Sequence, residues 1–118
     1  MKENVLQNKS YDFALRIIKT YRHLCTEKQE FVLSKQLLRS GTSIGANVEE
    51  AIGGQSEKDF FAKISICYKA ARETHYWLRL LKDSAYFSED QIASLLNDCE
   101  ELLRIIGSIQ KTIKSRNT

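Results

Sequence analysis

The side chains that could carry chemistry in this chain are few: three cysteines and two histidines. A di-iron centre in a helical bundle needs inward-facing glutamates and Glu-x-x-His motifs, and the sequence contains no such motif. Glu73 precedes His75 by only two positions, so these two side chains do not share a helical face. Glycine-rich phosphate loops and the nucleophile motif Gly-x-Ser-x-Gly are also absent. The sequence therefore predicts a protein that is not an enzyme and that needs no metal or cofactor.

The three cysteines, Cys25, Cys67 and Cys99, form no Cys-x-x-Cys pair. Cys67 and Cys99 fall on apolar helical stripes, where a reduced cysteine behaves as a small hydrophobic residue. No apolar run resembles a signal peptide, and no window approaches a membrane span of about 20 apolar residues. These features predict a cytoplasmic protein in a reducing compartment.

Basic residues concentrate near both ends of the chain, although the formal net charge is only +3. Residues 104–118 hold four basic and no acidic side chains, whereas residues 85–103 hold five acidic and no basic ones. Two interpretations stay open for the basic ends: the cations only face solvent, or they contact the phosphates of a nucleic acid. Cations in a last helical turn also complement the helix dipole. The candidate nucleic-acid-binding residues are Lys9, Arg16, Lys19, Arg22, Arg104, Lys111, Lys114 and Arg116.

The least helix-prone stretch runs from Gln36 to Glu50, where two glycines and three hydroxyl residues fall within six positions. Such a composition costs about 1 kcal/mol or more relative to alanine, so tertiary contacts must compensate if the stretch is helical. One face carries four polar residues, namely Ser40, Ser43, Asn47 and Glu50. Three interpretations remain open: a close helix crossing, in which small residues let two backbones approach, a polar interface between subunits, or a ligand site.

The elements that must position these residues are helices. The 118-residue chain has no proline and five glycines, whereas an average share of about 5% predicts roughly six prolines. Near the C-terminus, apolar residues recur at alternating steps of three and four, which predicts a helix with a heptad stripe. That stripe consists of Ile92, Leu95, Cys99, Leu102, Ile106, Ile109 and Ile113.

Helices are predicted over about 9–25, 27–52, 57–83 and 88–115. Short connections make consecutive helices antiparallel, so the predicted fold class is all-α: an up-down-up-down four-helix bundle. No linker or low-complexity tract interrupts the chain, which indicates one domain spanning 1–118. The predicted N-terminal caps pair Thr26 with Gln29, Ser56 with Asp59, and Ser88 with Gln91.

The stretch LLRSGTSIGANVEEA, followed by QSEKDFFAKISICYKAARETHYWLRLL, resembles a bacterial family of four-helix bundle proteins. Its founding members are encoded within intervening sequences of 23S rRNA genes. The similarity extends from about Phe31 to Ile113, and its most specific part is the Arg-Ser-x-x-Ser-Ile-x-Ala-Asn core at 39–47 together with Glu50. Many members have Glu-Gly after the Asn, whereas this chain has Glu50-Ala51.

The resemblance implies an antiparallel four-helix bundle that assembles as a ring-shaped homopentamer. It supplies no catalytic residues, and the family's ribosomal label comes from gene location. A similar branch, the accessory variability proteins of diversity-generating retroelements, binds nucleic acid and a reverse transcriptase.

The leading hypothesis is a non-enzymatic, oligomeric bundle that binds structured RNA or DNA through basic surfaces. The alternative is a protein–protein adaptor for a nucleic-acid enzyme such as a reverse transcriptase. We also expect Glu73 to pair with Arg39 across helices or subunits. The candidate interface residues are Arg39, Ser40, Ser43, Asn47, Glu50, Glu73 and Trp77.

Overall fold

The computed structural model describes residues 2–116, which form four α-helices. They are α1 (Lys2–Thr26), α2 (Leu33–Ile52), α3 (Glu57–Asp83) and α4 (Glu89–Arg116). No β-strand occurs within the described residues, so the predicted all-α class is confirmed. The helices lie side by side in an elongated bundle of 48 × 22 × 21 Å.

Neighbouring helices run antiparallel. At the α2–α3 boundary, the Thr74 hydroxyl donates a hydrogen bond to Ser40 Oγ at 2.9 Å. Cys67 Sγ, which precedes Thr74 on α3, donates to the carbonyl oxygen of Ile44, which follows Ser40 on α2, at 3.5 Å. The two helices therefore run in opposite directions. Both α1 and α3 pack against α2 and α4, so the order around the bundle follows the chain.

The core is built from the apolar stripes that the spacing predicts. All seven residues of the α4 heptad stripe are buried. On α3, five residues at helical spacing are buried as well, namely Ile64, Cys67, Ala71, Leu78 and Leu81. On α1, Phe13, Ile17 and Leu24 are buried, whereas Tyr21 is only half-buried at the bundle edge. Burying these side chains removes apolar surface from water, which is the main free-energy gain of such a bundle.

Two of the three predicted caps are confirmed. Ser56 Oγ accepts a hydrogen bond from the backbone N–H of Asp59 at 3.1 Å and so begins α3. Before α4, Ser88 and Gln91 form a reciprocal capping box: Ser88 Oγ accepts from the Gln91 N–H, and Gln91 Oε1 accepts from the Ser88 N–H. Each cap satisfies backbone donors that have no partner within their own helix.

The first helix extends further toward the N-terminus than the prediction of about 9–25, because it includes residues from Lys2 onward. The reason is that Leu6 and Ser10 continue the inward stripe of Phe13 and Ile17 at helical spacing. Both residues are 1% exposed. Packing of Leu6 against the core therefore stabilises two additional turns.

The predicted start of the second helix at residue 27 is wrong, because α2 begins at Leu33. Thr26 does not cap α2; it ends α1, and its hydroxyl donates to the carbonyl oxygen of Arg22 at 2.8 Å. Gln29 adopts a left-handed backbone conformation with φ of 54°, which interrupts the helix. The chain therefore turns between residues 27 and 32.

The cap of α2 is supplied by Glu30. Its carboxylate accepts hydrogen bonds from the backbone N–H groups of Val32, Leu33 and Ser34 at 3.2, 2.9 and 2.7 Å. Burial alone raises the pKa of this carboxyl group, but the three N–H donors stabilise the anion, and the pKa lies below its ordinary value. A carboxylate at a helix N-terminus also interacts favourably with the helix dipole.

The glycine-rich part of α2 forms a close crossing with α1, as one of the three interpretations proposes. A Cβ on Gly41 would stand 2.8 Å from Cγ1 and Cγ2 of Ile17. One turn later, a Cβ on Gly45 would stand 3.4 Å from the carbonyl oxygen of Ser10. Between the two glycines, the Thr42 hydroxyl donates to the carbonyl oxygen four residues earlier at 2.8 Å. The small residues therefore let the α1 and α2 backbones approach.

Within residues 2–116, none of the four helices carries an apolar stretch of the length that a bilayer crossing needs.

Candidate nucleic-acid interface

The α3–α4 boundary is held by polar contacts along its length. The Gln110 amide donates to Ser65 Oγ at 3.3 Å, and the Tyr68 ring lies beside Gly107, where a Cβ would meet it at 3.7 Å. Further along, His75 Nε2 lies 2.9 Å from Glu100 Oε2. These contacts define which flank of each helix faces the other.

Exposed cations occupy the outer edge of this boundary. Arg72 follows Tyr68 by four residues and precedes His75 by three, so it lies on the α4-facing flank of α3. On α4, Arg104 precedes Gly107 by three residues, and cations recur four and seven residues after Gly107. We call this set the basic seam; it consists of Arg72, Arg104, Lys111 and Lys114, all exposed.

A shallow groove of about 500 Å³ lies at the α4 C-terminal end of the basic seam. Lys111 and Lys114 line it together with Tyr68, Gly107 and Gln110. Because residue 107 has no side chain, the Tyr68 ring can lie against the α4 backbone with two ammonium groups beside it. Proteins that bind single-stranded nucleic acids combine aromatic rings, on which bases stack, with cations that contact the phosphates.

The charge of the basic seam is uncompensated. Among the side chains of residues 5–116, no carboxylate lies within 4.0 Å of any of its four cations. Two ion pairs lie beyond its ends, where Arg116 contacts Glu57 at 3.1 Å and His75 contacts Glu100. The positive potential therefore concentrates along one edge of the bundle.

At the α1–α4 boundary the cations are instead paired with acids. Lys9 Nζ lies 3.3 Å from Glu101 Oε1. Arg16 forms an ion pair with Asp98 and also donates to Ser94 Oγ at 3.0 Å. These carboxylates neutralise two of the four candidate cations of α1.

The structure thus divides the eight predicted nucleic-acid-binding residues into three groups. Three of them are neutralised by ion pairs within the chain: Lys9, Arg16 and Arg116. Lys19 and Arg22 are exposed on α1 without a carboxylate partner among the described residues. The remaining three lie together on the basic seam: Arg104, Lys111 and Lys114. The two basic ends of the sequence do not merge into one surface.

The sequence analysis missed Arg72 as a member of this surface. The signal was present, because Lys69, Arg72, Tyr76 and Arg79 recur at steps of three, four and three, as on one outward stripe of a helix. The Arg79 guanidinium lies 5.7 Å from the centroid of the Tyr76 ring, which is 47% exposed. The stripe therefore extends the basic seam along α3 with an exposed aromatic ring.

Among the candidate interface residues, Ser40 is inside the chain and not on a surface. It is 3% exposed and accepts the hydrogen bond from Thr74, because the inward face of α2 turns it toward α3. Ser43 and Asn47 are half-buried and bind each other, with the Asn47 amide donating to Ser43 O at 2.9 Å and to Ser43 Oγ at 3.1 Å. These bonds hold the Asn47 amide nitrogen against its own helix.

The charged interface candidates form ion pairs across the α2–α3 boundary. Arg39 Nη2 lies 3.9 Å from Glu73 Oε2, which confirms the predicted pairing across helices. Glu50 pairs with Lys63 at 2.8 Å. The α2–α3 boundary is therefore electrically balanced, in contrast to the basic seam.

The remaining interface candidate, Trp77, is half-buried. Its ring meets the neighbouring Tyr76 ring in an edge-on arrangement, with centroids 5.1 Å apart. The buried indole Nε1 has no hydrogen-bond partner in the part of the chain whose side chains are described, residues 5–116, so this side chain contributes packing and not polar contacts.

The three cysteines are free thiols. Burial raises the pKa of Cys67 and of Cys99 to about 12, so both stay protonated at neutral pH. Each Sγ also donates to a backbone carbonyl of a neighbouring helix. Among the described side chains, those of residues 5–116, no group of three or more His, Cys, Asp or Glu is placed to hold a metal ion.

Comparison with known proteins assigns the chain to a family. Residues 2–108 match the family model of the 23S rRNA-intervening sequence protein. Among curated proteins, none matches this chain. One similar solved structure is a protein of unknown function from Bacteroides thetaiotaomicron VPI-5482, described as belonging to the S23 ribosomal protein family. It is 50% identical in sequence, has a TM-score of 0.92, and aligns over 94% of this chain and 99% of that chain.

The family match covers the motif at 39–47 and three of the four helices completely, together with most of α4. The resemblance that the motif indicates is therefore confirmed, and the chain belongs to the family of 23S rRNA-intervening sequence proteins.

Proposed function

We propose that this protein is a non-enzymatic, cytoplasmic nucleic-acid-binding protein that binds structured RNA, or DNA of similar form, through the basic seam. The observation that carries the proposal is the charge asymmetry of the bundle. The α1–α4 boundary pairs Lys9 and Arg16 with acids, and the α2–α3 boundary pairs Arg39 and Lys63, whereas none of the four cations of the basic seam has a carboxylate partner among the described side chains. The cytoplasmic assignment rests on three free thiols.

The spacing of the cations suits a phosphate backbone. Arg104 and Lys111 are seven residues apart, about 10 Å along a helix with a rise of 1.5 Å per residue. Three nucleotides of a strand at about 3.4 Å each span a similar distance. Lysine and arginine contacts to phosphates supply affinity without sequence specificity, so recognition of shape by rigid helices is the mode that this surface supports.

Two aromatic rings, one exposed and one half-buried, add a second type of contact. Tyr76 lies on the same stripe as Arg72, and Tyr68 lies in the groove beside Lys111 and Lys114. Unpaired bases of loops and bulges stack on such rings. The proposal therefore favours RNA with single-stranded loops over a plain duplex.

We also propose that the protein acts as a homo-oligomer, most simply the ring-shaped homopentamer that the family resemblance implies. Exposed apolar side chains on the outer face of α1 support association, since Tyr11 is 62% and Leu15 52% exposed. Several copies would present several basic seams to one RNA, and such multivalency raises a weak affinity. Light scattering measures this directly, with five times the chain mass of 13.6 kDa expected.

An adaptor role for a nucleic-acid enzyme such as a reverse transcriptase is the second candidate. It is favoured by Phe31 and Val32, two adjacent apolar residues on the α1–α2 connection that are 55% and 71% exposed. Replacing both with serine would remove binding of a protein partner while leaving RNA binding intact. The reverse pattern is expected for changes in the basic seam.

The experiment that tests RNA binding compares two charge-matched double variants by fluorescence polarisation with a labelled RNA hairpin at low salt. Lys111→Gln/Lys114→Gln removes two cations of the basic seam, and we expect at least about tenfold weaker binding. Lys28→Gln/Lys35→Gln removes two exposed cations that lie elsewhere, and binding should change by less than about twofold. Undetectable binding of the unmodified protein, or equal effects of both double variants, contradicts the proposal.

A further inference from the structure

A second groove lies between α1 and the first turns of α4, far from the basic seam groove. Its volume is about 420 Å³. Arg16, Lys19 and His23 line it from α1, and Phe87 and Leu95 line it from the other side. It therefore combines cations at one end with rings and an apolar floor at the other.

The cationic end is set by two side chains with different environments. Arg16 is held in place by Asp98 and by the 3.0 Å hydrogen bond to Ser94, so its guanidinium is a fixed donor whose charge is largely balanced. Lys19 is exposed and has no carboxylate within 4.0 Å among the side chains of residues 5–116. One uncompensated positive charge beside a fixed arginine suits a single phosphate group better than an extended polyanion.

The aromatic end is formed by His23 and Phe87. Their ring centroids are 5.6 Å apart with an interplanar angle of 32°, so the two rings form a tilted stack. Phe87 lies in the short connection between α3 and α4 and packs against the core. Its side chain is only half-buried, so part of the ring faces the groove. A planar ligand ring can stack on this pair, as nucleic-acid bases do on aromatic side chains.

Gln91 adds a directional group at the groove. Its Oε1 accepts the hydrogen bond from the Ser88 backbone N–H at 3.1 Å, which fixes the side-chain amide by the capping box. The same amide keeps two N–H donors for a ligand carbonyl or ring nitrogen. A phosphate site, a stacking surface and an oriented amide donor are the three features that a nucleotide requires.

We propose that the α1–α4 groove binds one nucleotide unit, with its phosphate against Lys19 and Arg16 and its base against the His23–Phe87 pair. The inference deepens the proposed function, because such a unit is supplied either by an unpaired base of a bound strand or by a free nucleotide. The two sites are separate, however: Gln91 and Lys111 are 20 residues apart, about 30 Å along α4.

The test titrates the full chain with adenosine 5′-monophosphate by isothermal titration calorimetry. Adenosine, which lacks the phosphate, and ribose 5-phosphate, which lacks the base, serve as comparators. We expect adenosine 5′-monophosphate to bind with a Kd on the order of 1 mM or below, and both comparators to bind at least about fivefold more weakly. Equal binding of adenosine and its monophosphate would overturn the phosphate assignment.

A single-stranded tetranucleotide distinguishes the two sources of the nucleotide. If it binds more than about tenfold more tightly than the monophosphate, the groove takes an unpaired residue of a strand. If the monophosphate binds at least as tightly, the groove takes the free nucleotide. If neither probe gives a heat of binding at concentrations up to about 10 mM, the inference is overturned.

Two variants locate the binding. Lys19→Gln changes an exposed residue and leaves packing intact, while Phe87→Leu keeps an apolar side chain and removes the ring. Each should weaken nucleotide binding at least about fivefold, whereas Lys35→Gln on the outside of α2 should leave it unchanged. Nucleotide binding that survives both groove variants would contradict the inference.

The same proteins separate this inference from the proposed function. Lys111→Gln/Lys114→Gln should weaken hairpin binding but leave binding of adenosine 5′-monophosphate unchanged. If that double variant loses hairpin binding and the unmodified chain binds no nucleotide, the groove inference is overturned and the basic seam proposal stands. Nucleotide binding that depends on Lys19 without any hairpin binding overturns the basic seam alone.

Discussion

Gly41 lies so close to Ile17 that a Cβ on residue 41 would stand 2.8 Å from both Cγ1 and Cγ2 of the isoleucine. Ile17 is fully buried and β-branched, so it cannot rotate away without disturbing the core. We predict that Gly41→Ala lowers the free energy of unfolding. Overpacking of this kind costs about 1–3 kcal/mol, and alanine returns about 1 kcal/mol through its higher helix propensity.

Gly45→Ala is the matched control, because it adds the same methyl group on the same face of α2. There a Cβ would lie 3.4 Å from the carbonyl oxygen of Ser10, an ordinary contact. The difference between the two variants cancels helix propensity and isolates the crossing with α1. Urea unfolding at equal protein concentration should find Gly41→Ala less stable than Gly45→Ala by at least about 1 kcal/mol. Equal free energies of unfolding for the two variants would contradict the tight contact between Gly41 and Ile17.

Glu30 stabilises the start of α2 in its charged form. Its pKa is lower in the folded chain than the ordinary 4.5, so its contribution is fully present above about pH 4.5 and is lost as the pH falls through the folded pKa. We predict that Glu30→Gln lowers the free energy of unfolding by about 1 kcal/mol at pH 7. The difference from the unmodified chain should narrow in acid.

Urea unfolding between pH 3 and 7 measures this dependence, with Glu27→Gln as the control. Glu27 is exposed in the same connection, and its backbone N–H donates back to the carbonyl oxygen of His23 on α1. If the free energy of unfolding of Glu30→Gln stays below that of the unmodified chain by the same amount across the pH range, the capping role of the carboxylate is contradicted.

The three thiols should differ sharply in reactivity. Cys67 and Cys99 are buried with pKa values of about 12, whereas Cys25 is half-buried at the bundle edge. Since the thiolate is the reacting form, a disulfide reagent at pH 8 should titrate one thiol quickly in the native protein. The other two should react only after denaturant is added. Two or more fast thiols under native conditions would place Cys67 or Cys99 at the surface.

The Arg39–Glu73 ion pair should contribute little to stability. The two charged atoms lie 3.9 Å apart, and the side chains are 74% and 45% exposed. A double-mutant cycle with Arg39→Ala and Glu73→Ala should give a coupling of no more than about 0.5 kcal/mol, falling further at high salt. A coupling above about 1 kcal/mol would mean that another group, such as a second subunit, buries this pair.

The sequence predicts the core of α4 well because buried apolar residues recur with the period of a helix. The stripe from Ile92 to Ile113 repeats over three heptads, and every member is buried. The start of α2 was missed because Thr26-x-x-Gln29 has the spacing of a capping box, while the real cap is a carboxylate that reaches forward to three N–H groups. The two local patterns compete there, and the real start of α2 also buries Ser34, whose Oγ lies 3.8 Å from Cys25 Sγ on α1.

The candidate site was only partly predictable, because charge compensation is non-local. Lys9 and Arg16 form a basic stripe in the sequence, yet their partners Glu101 and Asp98 lie on the last helix. Conversely, Arg72 joins Arg104 in the basic seam only because α3 and α4 are neighbours. Sequence patterning gives the face of each helix, whereas the net charge of a boundary depends on which faces meet.

The salt dependence of RNA binding tests the central claim most directly. For each phosphate contact, the logarithm of the binding constant falls by about 0.7–0.9 per decade of salt. We compare a basic seam variant, with Arg72, Arg104, Lys111 and Lys114 changed to Gln, with a charge-matched variant, with Lys9, Lys28, Lys35 and Arg39 changed to Gln. The basic seam variant should reduce the slope by about 3, and the charge-matched variant should leave it within about 1 of the unmodified protein. Equal slopes for the two variants would contradict a nucleic-acid interface at the α3–α4 boundary.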